Sequence, residues 1–188
     1  YVTASNSIAG GACTGLGISP KKITHITGVV KSYTTRVGMG PFPTELKDDD
    51  GEFLRSAGNE YGATTGRPRR CGWFDAVISR FAASINGLDE FVMTKLDVLT
   101  GIKKIKIAVA YKFDGELYKN YPFNTKVFSN CEAVYEELDG WSEDISSIRE
   151  YNKLPDNAKR YVERIEELIE VPITKISTGS SREQMVIR

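Results

Sequence analysis

Apolar positions recur along this chain with two periods. Ile23, Ile26, Val29 and Val30 fall on one side of a helix, and Ser19-Pro20 supplies an N-cap followed by proline at the first helical position. This stretch predicts a first helix to about Tyr33. A second helix is predicted from about Trp73 to Asn86, where Phe74, Val77, Ile78, Phe81 and Ile85 share a face and Asn86-Gly87 supplies the stop. A last helix begins near Pro155, buries Ala158, Tyr161, Val162, Ile165, Leu168 and Ile169, and is broken by Pro172. Strand patterns alternate with these helices. Tyr1-Val2-Thr3 is strand-like, Phe91-Val92-Met93 reads as a short buried strand, and Ile173 to Ile176 and Met185-Val186-Ile187 read as two more. Ile105, Ile107, Val109 and Tyr111 alternate with Lys104, Lys106 and Lys112 up to the turn dipeptide Asp114-Gly115, which predicts a β-hairpin. The sum is a single α/β domain over residues 1–188 with a hairpin excursion. In such domains ligands sit where strands run into loops at their C-terminal ends.

Composition narrows the function classes. The 188 residues carry 25 Lys+Arg against 25 Asp+Glu, and 40% are hydrophobic, enough for a sizeable core. Zero formal net charge excludes nucleic-acid binding by bulk electrostatics, which needs an excess of cations. No run approaches the ~20 apolar residues of a bilayer span, and no charged-then-apolar leader opens the sequence, so neither a membrane nor a secretory role is expected. Cys13, Cys71 and Cys131 are widely spaced without CxxC or a partner His, and are expected to be indifferent thiols in a reducing compartment. Starting at Tyr1 without Met, the chain is expected to be cut from something longer.

Four segments carry candidate chemistry. Gly62-Ala63-Thr64-Thr65-Gly66-Arg67-Pro68-Arg69-Arg70 places three guanidiniums within four residues beside two hydroxyls. Such a cluster repels itself unless anions neutralise it, and the planar fork of Arg fits carboxylate or phosphate. A small, multiply anionic ligand is implied, and flanking glycines suit a loop that closes on it. In Thr94-Lys95-Leu96-Asp97, one carboxylate at Asp97 can accept both donors of a guanine edge while the Lys95 stem lies along the base. Ser177-Thr178-Gly179 is a small polar turn after a strand, able to cap a base or anion. Residues 3–17 are rich in glycine and hydroxyls and read as a loop able to approach phosphate, although the Walker pattern GxxxxGK[ST] is missing. His25 is expected mid-helix in a structural role, and Trp73 and Trp141 are expected to be packing residues.

Together these segments resemble one family, adenylosuccinate synthetase. The resemblance rests on Tyr1 through Asn6, Ser32 through Glu45 with TRVGxGPFPTE, Gly58 through Trp73 with GATTGRxRRxGW, Thr94 through Leu99, and Ile176 through Gly179. It implies the C-terminal part of a mostly parallel-sheet, P-loop-NTPase-like fold. It also implies a GTP-dependent C–N ligase that joins IMP to L-aspartate. In that family a base removes the N1 proton of IMP while its 6-oxygen attacks the γ-phosphoryl group, and the aspartate amine then displaces phosphate.

Residue by residue, the resemblance implies that Thr3, Val37 and Arg67 contact IMP. Ala63, Thr64, Thr65, Gly66, Arg67 and Arg69 would hold L-aspartate. Arg69, Lys95, Leu96, Asp97, Ser177, Thr178 and Gly179 would hold GTP. Pro68 stands where many relatives carry another Arg and is expected to face away. The family's glycine-rich phosphate loop, catalytic Asp and His and Mg²⁺ ligands are expected upstream, in a missing N-terminal part, so the isolated chain is expected to be inactive. A cytoplasmic homodimer is expected for the full-length protein. The other open reading is a guanine-nucleotide-binding module that does no chemistry.

Overall fold

Short runs of β-branched and aromatic residues pair into three small sheets, with helices packed against them. The computed structural model of the protein describes residues 6–188. In chain order the elements are α1 (Gly10–Leu16), β1 (Thr27–Lys31), β2 (Thr34–Arg36), α2 (Asp49–Ala57), β3 (Arg70–Gly72), β4 (Phe74–Asp75), α3 (Ala76–Asn86) and β5 (Glu90–Thr94). There follow β6 (Lys104–Phe113), β7 (Glu116–Tyr118), α4 (Thr125–Asn130), β8 (Glu132–Asp139), α5 (Asp156–Ile169), β9 (Ile173–Ser177) and β10 (Met185–Ile187). The fold is α/β, as the alternation of elements implied.

The sheet that matters for function has the order β1-β5-β9-β10. Lys31 lies opposite Thr94 in the parallel β1–β5 pair, and Met93 lies opposite Ile176 in the parallel β5–β9 pair. The C-terminal ends of three strands therefore stand abreast, and the loops that leave them share one rim. Among the described residues of this sheet, β10 alone runs antiparallel. The excursion is a second sheet, in which β6 pairs with β4 in parallel and with β7 and β8 antiparallel. Asp114 and Gly115 both take positive φ (51° and 80°), the backbone a tight primed turn requires. A two-stranded ribbon, β2–β3, sets Arg36 opposite Arg70.

Four expectations need correction. Residues 20–22 form one short 3₁₀ turn and Thr27–Lys31 is a strand, not part of a helix reaching Tyr33. The spacing of Ile23, Ile26, Val29 and Val30 suits either element. Pairing with β5 decides it: the β1 backbone lies so close to that strand that a Cβ at Gly28 would stand 2.7 Å from the Phe91 ring. His25 consequently lies outside any helix, with Nδ1 3.6 Å from Asp89 and Nε2 3.4 Å from Glu90. The glycine-rich stretch read as an open loop contains helix α1, closed by Gly17 at φ 64°. The expected strand over Tyr1-Val2-Thr3 lies outside the described residues.

The second helix starts at Ala76 rather than Trp73, because Phe74 and Asp75 are held in the ladder with β6 and the Asp75 carboxylate accepts the Ile78 N–H at 3.1 Å. Burial pushes the Asp75 carboxyl up to about 6, against the hydrogen bonds from Tyr111 and the helix backbone. Trp73 and Trp141 are buried, as expected of packing residues. The α5 helix buries Ala158, Tyr161, Val162, Ile165 and Ile169 and packs on α3. Its Tyr161 hydroxyl donates to the Ser32 carbonyl at 2.6 Å, pinning the loop that leaves β1. Cys71 is buried, and all three cysteines are free.

Ile165 is fully buried at the centre of that helix face. Ile165→Ala is expected to cost about 2–5 kcal/mol, the transfer and cavity cost of truncating a core side chain. The check is the denaturant midpoint, which should fall at unchanged m-value.

Candidate functional site

The rim at the ends of β1, β5 and β9 brings together the TKxD turn, the 177–179 turn and the base of the arginine loop. The described part of the glycine-rich segment lies instead by the end of α3, with the Ala9 N–H donating to Asn86 Oδ1 at 2.7 Å. Thr94 ends β5, Lys95 turns the chain in the left-handed region at φ 62°, and Leu96–Leu99 follow as a 3₁₀ turn. Leu96, Val98 and Leu99 are buried, which anchors the turn and leaves Asp97 half-buried between them. Two hydrogen bonds brace it: Ser32 Oγ donates to the Lys95 carbonyl at 2.7 Å and the Lys95 N–H donates to Ser177 Oγ at 3.0 Å. The loops after β5 and β9 are thereby joined into one structure.

Between them lies a cleft of about 390 Å³ lined by Ala57, Gly58, Asn59, Lys95, Asp97 and Gly179, among others. That volume lies within the range of small-molecule sites. Asp97 Oδ1 is shielded from solvent and, among the described residues, accepts no hydrogen bond. A buried acceptor left empty costs free energy, so this oxygen marks where a donor belongs. Burial pushes the Asp97 carboxyl up from its ordinary value, while its own backbone N–H and the Lys95 charge pull it down.

The base of the arginine loop is linked to this cleft through Glu60, which holds both Arg69 and the cleft residue Lys95. Its base is a backbone clamp: Gly62 N–H donates to the Arg67 carbonyl at 2.8 Å and Arg69 N–H to the Glu60 carbonyl at 2.9 Å. Gly66 takes φ 64°, which a residue with a Cβ would strain to adopt. Residues 63–68 between are exposed, Pro68 included. The three guanidiniums do not act as one cluster. Arg70 is committed internally, with a bidentate pair to Glu45 at 2.7 and 2.6 Å and bonds to the Gly38 and Gly40 carbonyls. Arg69 donates one nitrogen to Glu60 at 2.8 Å, and Arg67 has no ion-pair partner among the described residues.

Glu60, which sequence reasoning passed over, ties the two halves together. It is fully buried, and its oxygens accept from Lys31 Nζ at 2.8 Å, Tyr33 Oη at 2.6 Å and Arg69, with Lys95 Nζ at 3.1 Å. Burial alone would push this carboxyl up. The hydrogen bonds from Lys31, Tyr33, Arg69 and Lys95 outweigh it and hold the carboxyl down at about 2. Lys95 Nζ also donates to the Gly58 carbonyl at the end of α2. Helix α2 was likewise unexpected, although Asp48 caps its N-terminus and Asp49, Asp50 and Glu52 fill its first turn.

Not every expected residue offers its side chain to the cleft. Leu96 and Thr178 are fully buried, and the Thr178 hydroxyl donates to the Ile148 carbonyl at 3.2 Å. Any ligand contact at these two positions runs through main chain. Val37 is exposed just beyond β2, beside the ribbon partner of the arginine loop. Thr3 lies outside the described residues.

Comparisons with known proteins point to one family. The family model for adenylosuccinate synthetase matches residues 1–186. Adenylosuccinate synthetase of Carboxydothermus hydrogenoformans is 59% identical over 187 residues, covering 100% of this chain and 44% of that protein. The Methanothrix thermoacetophila enzyme is 56% identical over 186 residues, again 44% of its length. The chain thus spans less than half of the curated relatives it matches. The fully ligated adenylosuccinate synthetase of Plasmodium falciparum superposes with a TM-score of 0.95 at 46% identity, over 100% of this chain and 45% of that one. Succinoaminodeoxyadenylate synthetase of cyanophage S-2L shares the fold alone, with a TM-score of 0.54 at 16% identity.

Because the folded Glu60 carboxyl titrates near 2, below the ordinary 4.5, its ionised form stabilises the fold above about pH 4.5, and that contribution is lost as pH falls toward 2. Urea titrations between pH 6 and 3 should show a steeper loss of stability in the native protein than in Glu60→Gln. Parallel pH dependence in the two would remove Glu60 from this role.

Proposed function

The chain belongs to the adenylosuccinate synthetase family, and from that premise we propose that it supplies the aspartate loop and the guanine pocket for GTP-dependent ligation of IMP to L-aspartate. The observation that carries the reading is the unpaired, solvent-shielded Asp97 Oδ1 in a cleft shared with Lys95 and Gly179. Guanine presents two adjacent donors, N1–H and the 2-amino group, to one carboxylate. Adenine has no such pair, so Asp97 selects GTP over ATP. The Lys95 stem lies along the base, and the main chain at Leu96 and from Ser177 to Gly179 closes the pocket.

In this proposal the exposed loop from Ala63 to Arg69 holds the carboxylates of L-aspartate. Thr64, Thr65 and the Gly66 backbone offer short donors, and the guanidiniums of Arg67 and Arg69 offer forks. Arg67 also reaches the IMP ribose, Val37 lies along that ribose, Thr3 meets the IMP phosphate, and Arg69 stands near GTP. These residues bind and orient. They bring the aspartate amine to carbon 6 of IMP once the 6-oxygen has been phosphorylated, a gain in effective concentration rather than in reactivity.

Proton removal and phosphoryl transfer belong to residues outside these 188, which contain no GxxxxGK[ST] loop. Among the described residues no group of three or more His, Cys, Asp or Glu is placed to hold a metal ion. The whole enzyme is proposed to act as a cytoplasmic homodimer, on the strength of the family resemblance.

In a full-length synthetase carrying this segment, Asp97→Asn is expected to weaken GTP binding by about 1–3 kcal/mol, leaving a base donor unpaired. Calorimetry with GTP and ATP checks this, and unchanged discrimination would remove Asp97 as the reader. Arg67→Leu is expected to raise KM for aspartate and IMP much more than for GTP. Equal loss for all three would point to misfolding instead.

A further inference from the structure

Three cations, one buried carboxylate and one phenol meet at Glu60, an arrangement that stability alone does not call for. A buried ion cluster pays desolvation for every charge it contains, and apolar replacements often fold as well or better. Lys31 leaves the end of β1, Lys95 the end of β5, and Arg69 the base of the arginine loop. With three positive charges against one negative, the cluster keeps a surplus positive charge. The cation side chains are 26–33% exposed while Glu60 is fully covered, so the surplus sits on the solvent side of the carboxylate, and Lys95 carries its share of it to the cleft.

We infer that Glu60 is a positioning residue that couples the two ligand pockets, because one carboxylate fixes both Arg69 of the dicarboxylate loop and Lys95 of the base pocket. This rests on the function proposed above. Arg69 gives Glu60 only Nη1, leaving the rest of its guanidinium for a ligand. An anion that draws Arg69 away leaves Glu60 Oε2 to Lys31 alone, and the less fully neutralised carboxylate then pulls harder on Lys31 and Lys95. Lys95 is held in turn by the Gly58 carbonyl, so its stem is steadied against the base. Filling the aspartate loop thereby prepares the guanine pocket, and by reciprocity GTP prepares the loop.

The test uses a full-length synthetase carrying this segment, with GDP and L-aspartate as probes in calorimetry. Saturating L-aspartate is expected to tighten GDP about fivefold or more, within the usual range of coupling between sites. Glu60→Gln keeps an acceptor for Tyr33 and Lys95 but turns an amide toward Arg69. It is expected to bring the coupling to within about twofold of none while each ligand still binds alone. Tyr33→Phe removes a bond to the same carboxylate without touching either ligand loop, so it should lower the melting temperature and preserve coupling. If Glu60→Gln does not fold, Lys95→Met serves: it should weaken L-aspartate about fivefold although Lys95 lies in the other pocket. Wild-type coupling retained in Glu60→Gln, coupling lost equally in Tyr33→Phe, or aspartate affinity unmoved by Lys95→Met would each overturn the inference. A native protein that binds both probes independently overturns this inference alone. One that binds neither overturns the proposed function and this inference with it.

Discussion

A carboxylate removed from water must be neutralised on the spot, and at Glu60 that demand is met by groups from three separate stretches of chain. Lys31, Tyr33, Arg69 and Lys95 all turn toward it. None of these residues is free to wander without leaving a buried charge exposed to an apolar surround, a penalty larger than the hydrogen bonds themselves. The alignment of β1, β5 and β9 brings the loops to one rim, and the carboxylate sets how they sit there. The arginine loop can then be exposed between 63 and 68 while its base stays fixed.

The same division of labour separates the three arginines. Arg70 spends its whole fork on Glu45 and two carbonyls, so it holds the turn after β2 and has little left for a ligand. Arg69 is half committed, and Arg67 stands uncommitted among the described residues. Moving along the loop from its base to its tip, structural duty falls and capacity to bind an anion rises.

The elements readable in the sequence were those whose period is set by a single buried face. The α5 stripe, the β6 alternation with its Asp-Gly turn, and the buried runs of β5 and β9 all appear where expected. The helix over residues 19–33 fails because four apolar residues at mixed spacing satisfy two periods, and a long-range pairing with β5 chose between them. The α1 helix is hidden by glycines with low intrinsic helix preference. At the site, TKxD, the Arg/Thr loop and the small turn at 177 were legible because each carries its own local chemistry. Glu60 was not: a lone carboxylate between asparagine and tyrosine acquires meaning only when distant lysines are folded onto it.

The site turns on Glu60 joining the base pocket at Asp97 to the arginine loop. The most direct measurement is a crystal structure of a full-length synthetase carrying this segment, bound to GDP and L-aspartate. The account predicts the guanine N1 and 2-amino groups within hydrogen-bond reach of Asp97, and the amino-acid carboxylates on the 63–69 loop. Glu60 should lie between the two with Lys95 in its grasp. A guanine base placed away from Asp97, or an aspartate bound on another face of the molecule, would contradict it.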